Sequence, residues 1–306
     1  MKKFLLYIVL FIMPIWIILV GVDNSFSSIL RNANSAFSKP LNDMYIASDN
    51  HDVLICGNSR ASVQYDPNII DSILGCTSYN LGYDGCAINI QLLKYKHWIK
   101  LHTLPQYVIY NIDLWTMNKT QGNNREQIFP YFRFDKSMLY SFDEYHDYTF
   151  AEKHIPFCRY IGHRELLNDV LGDSISFYKG YYGYNWDWQT NNQRHNNDLY
   201  KCASDANMIK LFSDFISEQK ECGISILFVY APMFHTIMRY SPDIQKMYNM
   251  YDAIARQYNI PILDYNYDNI CQDSTLFYNK MHLNRTGAEV FTTKLAHDID
   301  SLGLLK

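Results

Sequence analysis

The sequence carries no excess of positive charge. Its 27 lysines and arginines are outnumbered by 31 aspartates and glutamates, giving a net charge of −4. The basic residues are scattered rather than massed in a stripe, so nothing is built to neutralise a phosphate backbone and no nucleic-acid partner is expected. The seven cysteines (56, 76, 86, 158, 202, 222, 271) form no CxxC pair and no Cys/His ligand spacing, which argues against a zinc site. Their odd count leaves a disulfide open without choosing one. Cys56 and Cys222 sit in or beside apolar runs and read as small buried residues. Internal repeats of about 20–50 residues are also missing, which sets aside solenoids and propellers.

What is present is apolar and aromatic. With 306 residues, 48% of them hydrophobic, the chain can bury one sizeable core, read as one domain with an insertion. After Lys2 and Lys3, the run Phe4 to Val22 holds no charge, and at ~1.5 Å per residue it can cross a ~30 Å hydrocarbon core. A cleaved signal peptide is the rival reading, but its apolar region is usually ~7–15 residues and ends at small residues, whereas Gly21 is followed by Val22-Asp23-Asn24. An uncleaved anchor, residues 1–22, is therefore expected, with Pro14 tolerated as a kink. The two lysines place its start in the cytoplasm and the main domain outside, in the periplasm or extracellular space. Residues 23–50 are polar and mixed, as for a loosely packed juxtamembrane stalk.

From residue 51 the chain alternates strand and helix. Val53-Leu54-Ile55-Cys56, ending at Gly57, has the continuous apolar character of a strand buried on both faces of a parallel sheet. Further strands are expected at 78–81, 107–113, 224–230 and 260–264, with helices at 91–100, 207–222, 247–258 and 286–301. Five such strands make a three-layer α/β domain with a mostly parallel sheet, whose sites lie at the carboxyl ends of the strands. Residues 114–204 interrupt the alternation. Rings, glycines and amides without a period, as in Tyr178 to Asn197, suit an ordered surface insertion.

Gly57-Asn58-Ser59-Arg60 follows the first strand. A serine there, entering a helix, has its hydroxyl at the crevice, although a plain helix cap is the commoner use of Gly-x-Ser. Arg60 could meet an anionic group, but a surface or helix-start arginine is the commoner case. Near the other end, Asn279-Lys280-Met281-His282-Leu283-Asn284 precedes the last helix. A histidine in that loop can reach the crevice of the first strand. His235, ending the fourth strand in Ala231-Pro232-Met233-Phe234-His235, reads as shaping its loop.

Gly-x-Ser after the first strand, Asn80-x-Gly82-x-x-Gly85 after the second, and x-x-x-His-Leu-Asn before the last helix together resemble the ordered blocks of the SGNH/GDSL hydrolase superfamily. With the anchor, the chain is more similar to its surface-glycan acyl-transfer members than to its secreted esterases. The resemblance implies a flavodoxin-like (SGNH) three-layer fold, with Ser59 as nucleophile and His282 as general base. It gives the oxyanion the backbone N–H groups of Ser59 and Gly82 and a side-chain asparagine, whose nearest counterpart is Asn111. Serine-dependent O-acyl transfer or ester hydrolysis on a cell-surface or exported polysaccharide is the function it implies, with no metal or cofactor. Two positions depart from the family pattern. Asn279 stands where the family usually has aspartate, and Asn111 lies one residue early, which on a strand reverses the face. These departures keep open a catalytically weakened or inactive protein that binds glycan or assists envelope polysaccharide assembly.

Overall fold

The computed structural model describes residues 2–35, 38–46, 50–118, 125–140, 143–171, 177–188, 202–237 and 243–305. Part of the aromatic Tyr178–Asn197 stretch, with His195, lies outside them. The chain divides into two compact units, Met1–Tyr45 with Asn124–Ile175, and Ile46–Asn123 with Ser176–Lys306.

The larger unit is the α/β domain. Its sheet is parallel throughout, in the order β2-β1-β3-β4-β5, with β1 at Val53–Cys56, β2 at Ser78–Asn80, β3 at Tyr107–Asn111, β4 at Ser225–Tyr230 and β5 at Ile262–Asp264. That order is the flavodoxin-like one, and it reverses direction of winding between β1 and β3. One face of the sheet presents Val53, Ile55, Ile109, Leu227 and Val229 to a core shared with Phe291, Leu295 and Ile299 of the last helix. The opposite face meets an aromatic layer in which Tyr110 and Phe228 pack on Phe212, and Phe228 on Tyr251. Because both faces are covered, the strands read in the sequence as unbroken apolar runs rather than as alternating ones. A short antiparallel hairpin, β6 (Phe277–Asn279) and β7 (His282–Leu283), lies outside this sheet and was not expected from the sequence.

The smaller unit begins with helix α1, Lys2–Arg31. Among the described residues, one helix is long and apolar enough to cross a membrane, with a candidate span at Leu10–Arg31 whose apolar window has a mean hydropathy of 1.7. Its described side chains up to Val22 are exposed or half-exposed, but Asp23, Ser27 and Leu30 are buried. Positions 23, 27 and 30 lie on one helical face, and they turn into the unit. The part of the expected loose stalk that α1 carries, residues 23–31, is therefore folded. The reason is Asp23: Arg159 grips its carboxylate with two guanidinium nitrogens, and Phe157 N–H donates to it at 3.1 Å. These partners lie more than 130 residues away, where a local pattern cannot show them.

The cysteines are all free thiols. Cys56 is buried, as expected. Cys222 is exposed, because it caps the end of the helix Ala206–Glu221 instead of joining the strand that follows.

Candidate active site

Gly57 follows β1 with a φ of 145°, and a side chain there would meet Ala61 Cβ at 2.8 Å and Asn111 Cβ at 2.9 Å. The sharp exit starts helix α2, Ser59–Gln64, whose N-cap Asn58 accepts from Arg60 N–H at 3.1 Å. Ser59 is thereby set at the carboxyl end of β1, beside the switch point.

The partner arrives on the β6–β7 hairpin. Asn284 caps the last helix, α3 (Arg285–Leu302), by accepting from Gly287 N–H at 2.9 Å, and its amide donates to Thr275 O at 2.7 Å. Gly287 permits the hairpin to lie close, since a Cβ there would sit 2.0 Å from Leu276 O. His282 Nε2 consequently stands 2.8 Å from Ser59 Oγ, and His282 Nδ1 stands 3.0 Å from Asn279 Oδ1.

The tautomer follows from the backbone. Asn279 Oδ1 accepts from Met281 N–H at 2.8 Å and His282 N–H at 3.0 Å, so the amide oxygen, not the nitrogen, faces the ring. Nδ1 must then be the protonated nitrogen, and the Nε2 lone pair is aimed at the serine hydroxyl. Tyr278 lies parallel to the imidazole, with ring centres 5.3 Å apart and planes within 4°. Burial raises the Tyr278 pKa, so it stays a neutral phenol.

A buried polar cluster holds the serine turn from behind. Asp113, just past β3, accepts from Arg60 Nε at 2.9 Å, from Asn58 Nδ2 at 2.7 Å and from Trp115 N–H at 3.1 Å. Arg60 also donates to Ala231 O and Ile112 O, and both charged side chains are fully buried. Arg60 is therefore neither a surface arginine nor an anion site. His235 does shape its loop, with its backbone N–H and Nδ1 both against Cys271 O.

Of the expected oxyanion donors, the Gly82 N–H is taken by Asn80 and the Asn111 side chain is buried. Asn80 Nδ2 donates to Ala61 O and Tyr65 O, which turns Oδ1 toward Gly82, and Gly82 N–H donates to it at 2.8 Å. What Gly82 supplies is close approach: a Cβ would lie 2.2 Å from Ser62 N. Asn111 is in the core, its Oδ1 accepting from Tyr65 OH at 2.8 Å, as its reversed face requires.

Asn58, Ser59, Gly85, Cys86, Trp115, Thr116 and Met281 line a cavity of about 210 Å³. Cys86 is no rival nucleophile, because burial pushes its thiol pKa up and its Sγ is directed at Tyr83 O. Among the described residues, one group suits a metal by composition: Glu126, His163 and Glu165 of the smaller unit, with His163 Nδ1 already 2.7 Å from Glu165 Oε1. None of these belongs to the Ser59 cavity.

The sheet order, the serine after β1 and the histidine before the last helix make an α/β fold consistent with the SGNH/GDSL arrangement that the sequence resembles. No family model matches the chain, and no curated protein does. Solved structures similar to it include a Bacteroides fragilis protein assigned as an acylhydrolase, 13% identical over 89% of this chain and 98% of that one, with a TM-score of 0.45. A GDSL-like lipase of Bacteroides thetaiotaomicron aligns at 11% identity over 88% and 98%, TM-score 0.41. An acetyl xylan esterase aligns at 12% over 82% and 98%, TM-score 0.41. At such values the likeness is loose, and the chemistry rests on the geometry above.

Proposed function

We propose that this protein transfers or hydrolyses a small O-acyl group through a Ser59 ester, with a cell-surface or exported polysaccharide as acyl acceptor or substrate. The observation that carries this is the chain of contacts Ser59 Oγ, His282 Nε2, His282 Nδ1, Asn279 Oδ1, all at 2.8–3.0 Å. Serine is a weak nucleophile until a base in hydrogen-bond reach takes its proton. His282 takes it as Ser59 Oγ attacks the acyl carbonyl, and the oxyanion meets the Ser59 N–H. The imidazolium then protonates the leaving group. In the second half, His282 removes a proton from a sugar hydroxyl or from water, and that oxygen takes the acyl group from Ser59. No step calls for a metal or cofactor.

Support for a sugar comes from the wall beside the histidine. Tyr184 and Trp186 pack on Tyr278, and Trp186 is half-exposed, offering an aromatic face of the kind that covers sugar rings. Support for an extracytoplasmic site comes from α1 with Lys2 and Lys3 at its start.

A serine-directed fluorophosphonate should label the wild type and spare Ser59→Ala. Equal labelling of the two overturns the nucleophile. A second reading, a glycan-binding or assembly protein that keeps the fold, is favoured by the Asn279 amide and by the commitment of Gly82 N–H to Asn80. Glycan binding that survives His282→Ala, with no acyl-enzyme from any donor, would support it.

A further inference from the structure

The smaller unit holds exposed apolar side chains that the chemistry leaves unused. Its clamp on α1 sits at the point where the apolar run ends. Arg159 Nη1 donates to Asp23 Oδ2 at 2.9 Å, and Ser27 Oγ is 2.7 Å from Tyr160 OH. The Phe26 ring meets Tyr160 at 4.8 Å and Phe157 at 5.8 Å between centres. Residues 157–160 are thus fixed to the first turn beyond Val22. At ~1.5 Å per residue, that turn lies within about 6 Å of the last apolar residue, so a membrane crossed by α1 has its surface at this clamp.

On either side of residues 157–160 in the chain, large apolar side chains are exposed. Ile155 is 39% exposed and Ile161 70%, with Phe150 at 74% and Leu171 at 81%. Arg164 and Glu165 are exposed between them. Single apolar residues are scattered over any soluble surface, but several in one short segment, fixed to the end of a helix apolar enough to cross a membrane, suit a segment that lies in a bilayer interface.

We propose that the segment from Phe150 to Leu171 is a second membrane contact, resting in the headgroup region of the phospholipid bilayer that α1 enters. Two points of attachment hold the smaller unit at a defined height and tilt, where a lone helix would let it swing. The proposal rests on α1 crossing the membrane, and it is independent of Ser59.

The full-length chain in nanodiscs of phosphatidylcholine and phosphatidylglycerol tests it. p-Benzoylphenylalanine is placed singly at Ile12, Phe150, Ile161 or Leu171, all exposed positions whose replacement leaves the buried core untouched. Irradiation should give lipid adducts at 12 and also at 150, 161 and 171. Adducts at 12, with the other three at the level of protein lacking the crosslinker, overturn the surface contact and leave the anchor standing. Crosslinked dimers in place of lipid adducts also overturn it, assigning the face to a second copy of the chain. No adduct at 12 removes the anchor and this proposal together.

Discussion

Ser59 Oγ and His282 Nε2 lie 2.8 Å apart although 223 residues separate them in the chain. A pair that works as one unit loses its function whichever member is removed. Ser59→Ala and His282→Ala are each expected to lower esterase turnover on an activated acetyl ester by on the order of 10⁴ or more, and the double variant should be no worse than either. Additive losses, measured as kcat for the three variants, would separate the two side chains mechanistically.

The cavity beside Ser59 holds about 210 Å³, and Trp115 forms part of its wall. Acetyl esters should therefore be preferred to hexanoyl esters. Trp115→Ala is expected to reverse that preference, since a buried methylene contributes about 0.8 kcal/mol, about fourfold per carbon in kcat/KM. An unchanged acetyl-to-hexanoyl ratio would place the acyl group outside this cavity.

Arg60 and Asp113 form an ion pair with no exposure, and Asn58 leans on the same carboxylate. Removing one partner strands the other charge in the core. Asp113→Ala should cost about 3–5 kcal/mol in urea unfolding, and Arg60→Met with Asp113→Leu should recover much of that loss. A single variant as stable as the wild type would show that the pair reaches water.

The pattern of the fold was legible because the strands are buried on both faces. Val53–Cys56 and Ser225–Tyr230 announce themselves as apolar runs, and the order of Gly-x-Ser and His-Leu-Asn points Ser59 and His282 at one crevice. Roles that depend on a distant side chain were not legible. Arg60 looks like a surface residue until Asp113 is seen 53 positions on, and Asp23 looks like stalk until Arg159 folds against it. Gly82 differs for a local reason: the resemblance gives its N–H to the oxyanion, but the Asn80 side chain two residues earlier accepts it. A signal for that existed in Asn-x-Gly itself, since asparagine commonly bonds the backbone two residues on.

Gly82 itself can be tested by size. Its Cβ would fall 2.2 Å from Ser62 N in the helix that carries Ser59, and backbone cannot step aside as a flexible side chain can. Gly82→Ala should destabilise by roughly 1–3 kcal/mol and lower turnover together, although the N–H is retained. A melting temperature equal to that of the wild type would mean that the loop does not press on α2.

Asn279 is the position where orientation and charge can be pulled apart. In serine-protease triads, exchanging the aspartate for asparagine costs about 10⁴ in turnover, because it leaves the histidine in the wrong tautomer. Here the tautomer is already correct, since the N–H groups of Met281 and His282 hold Oδ1 toward the ring. What the amide cannot do is neutralise the imidazolium that the proposed attack by Ser59 would form. Asn279→Asp retains all three acceptor contacts and adds that charge, so kcat should rise, by on the order of tenfold or more. The check is the acylation rate with an activated acetyl ester, read beside fluorophosphonate labelling to confirm that Ser59 remains the nucleophile. A fall in that rate with labelling intact would mean that the site is matched to a neutral third member, and that its slow step is one in which His282 must give its proton away.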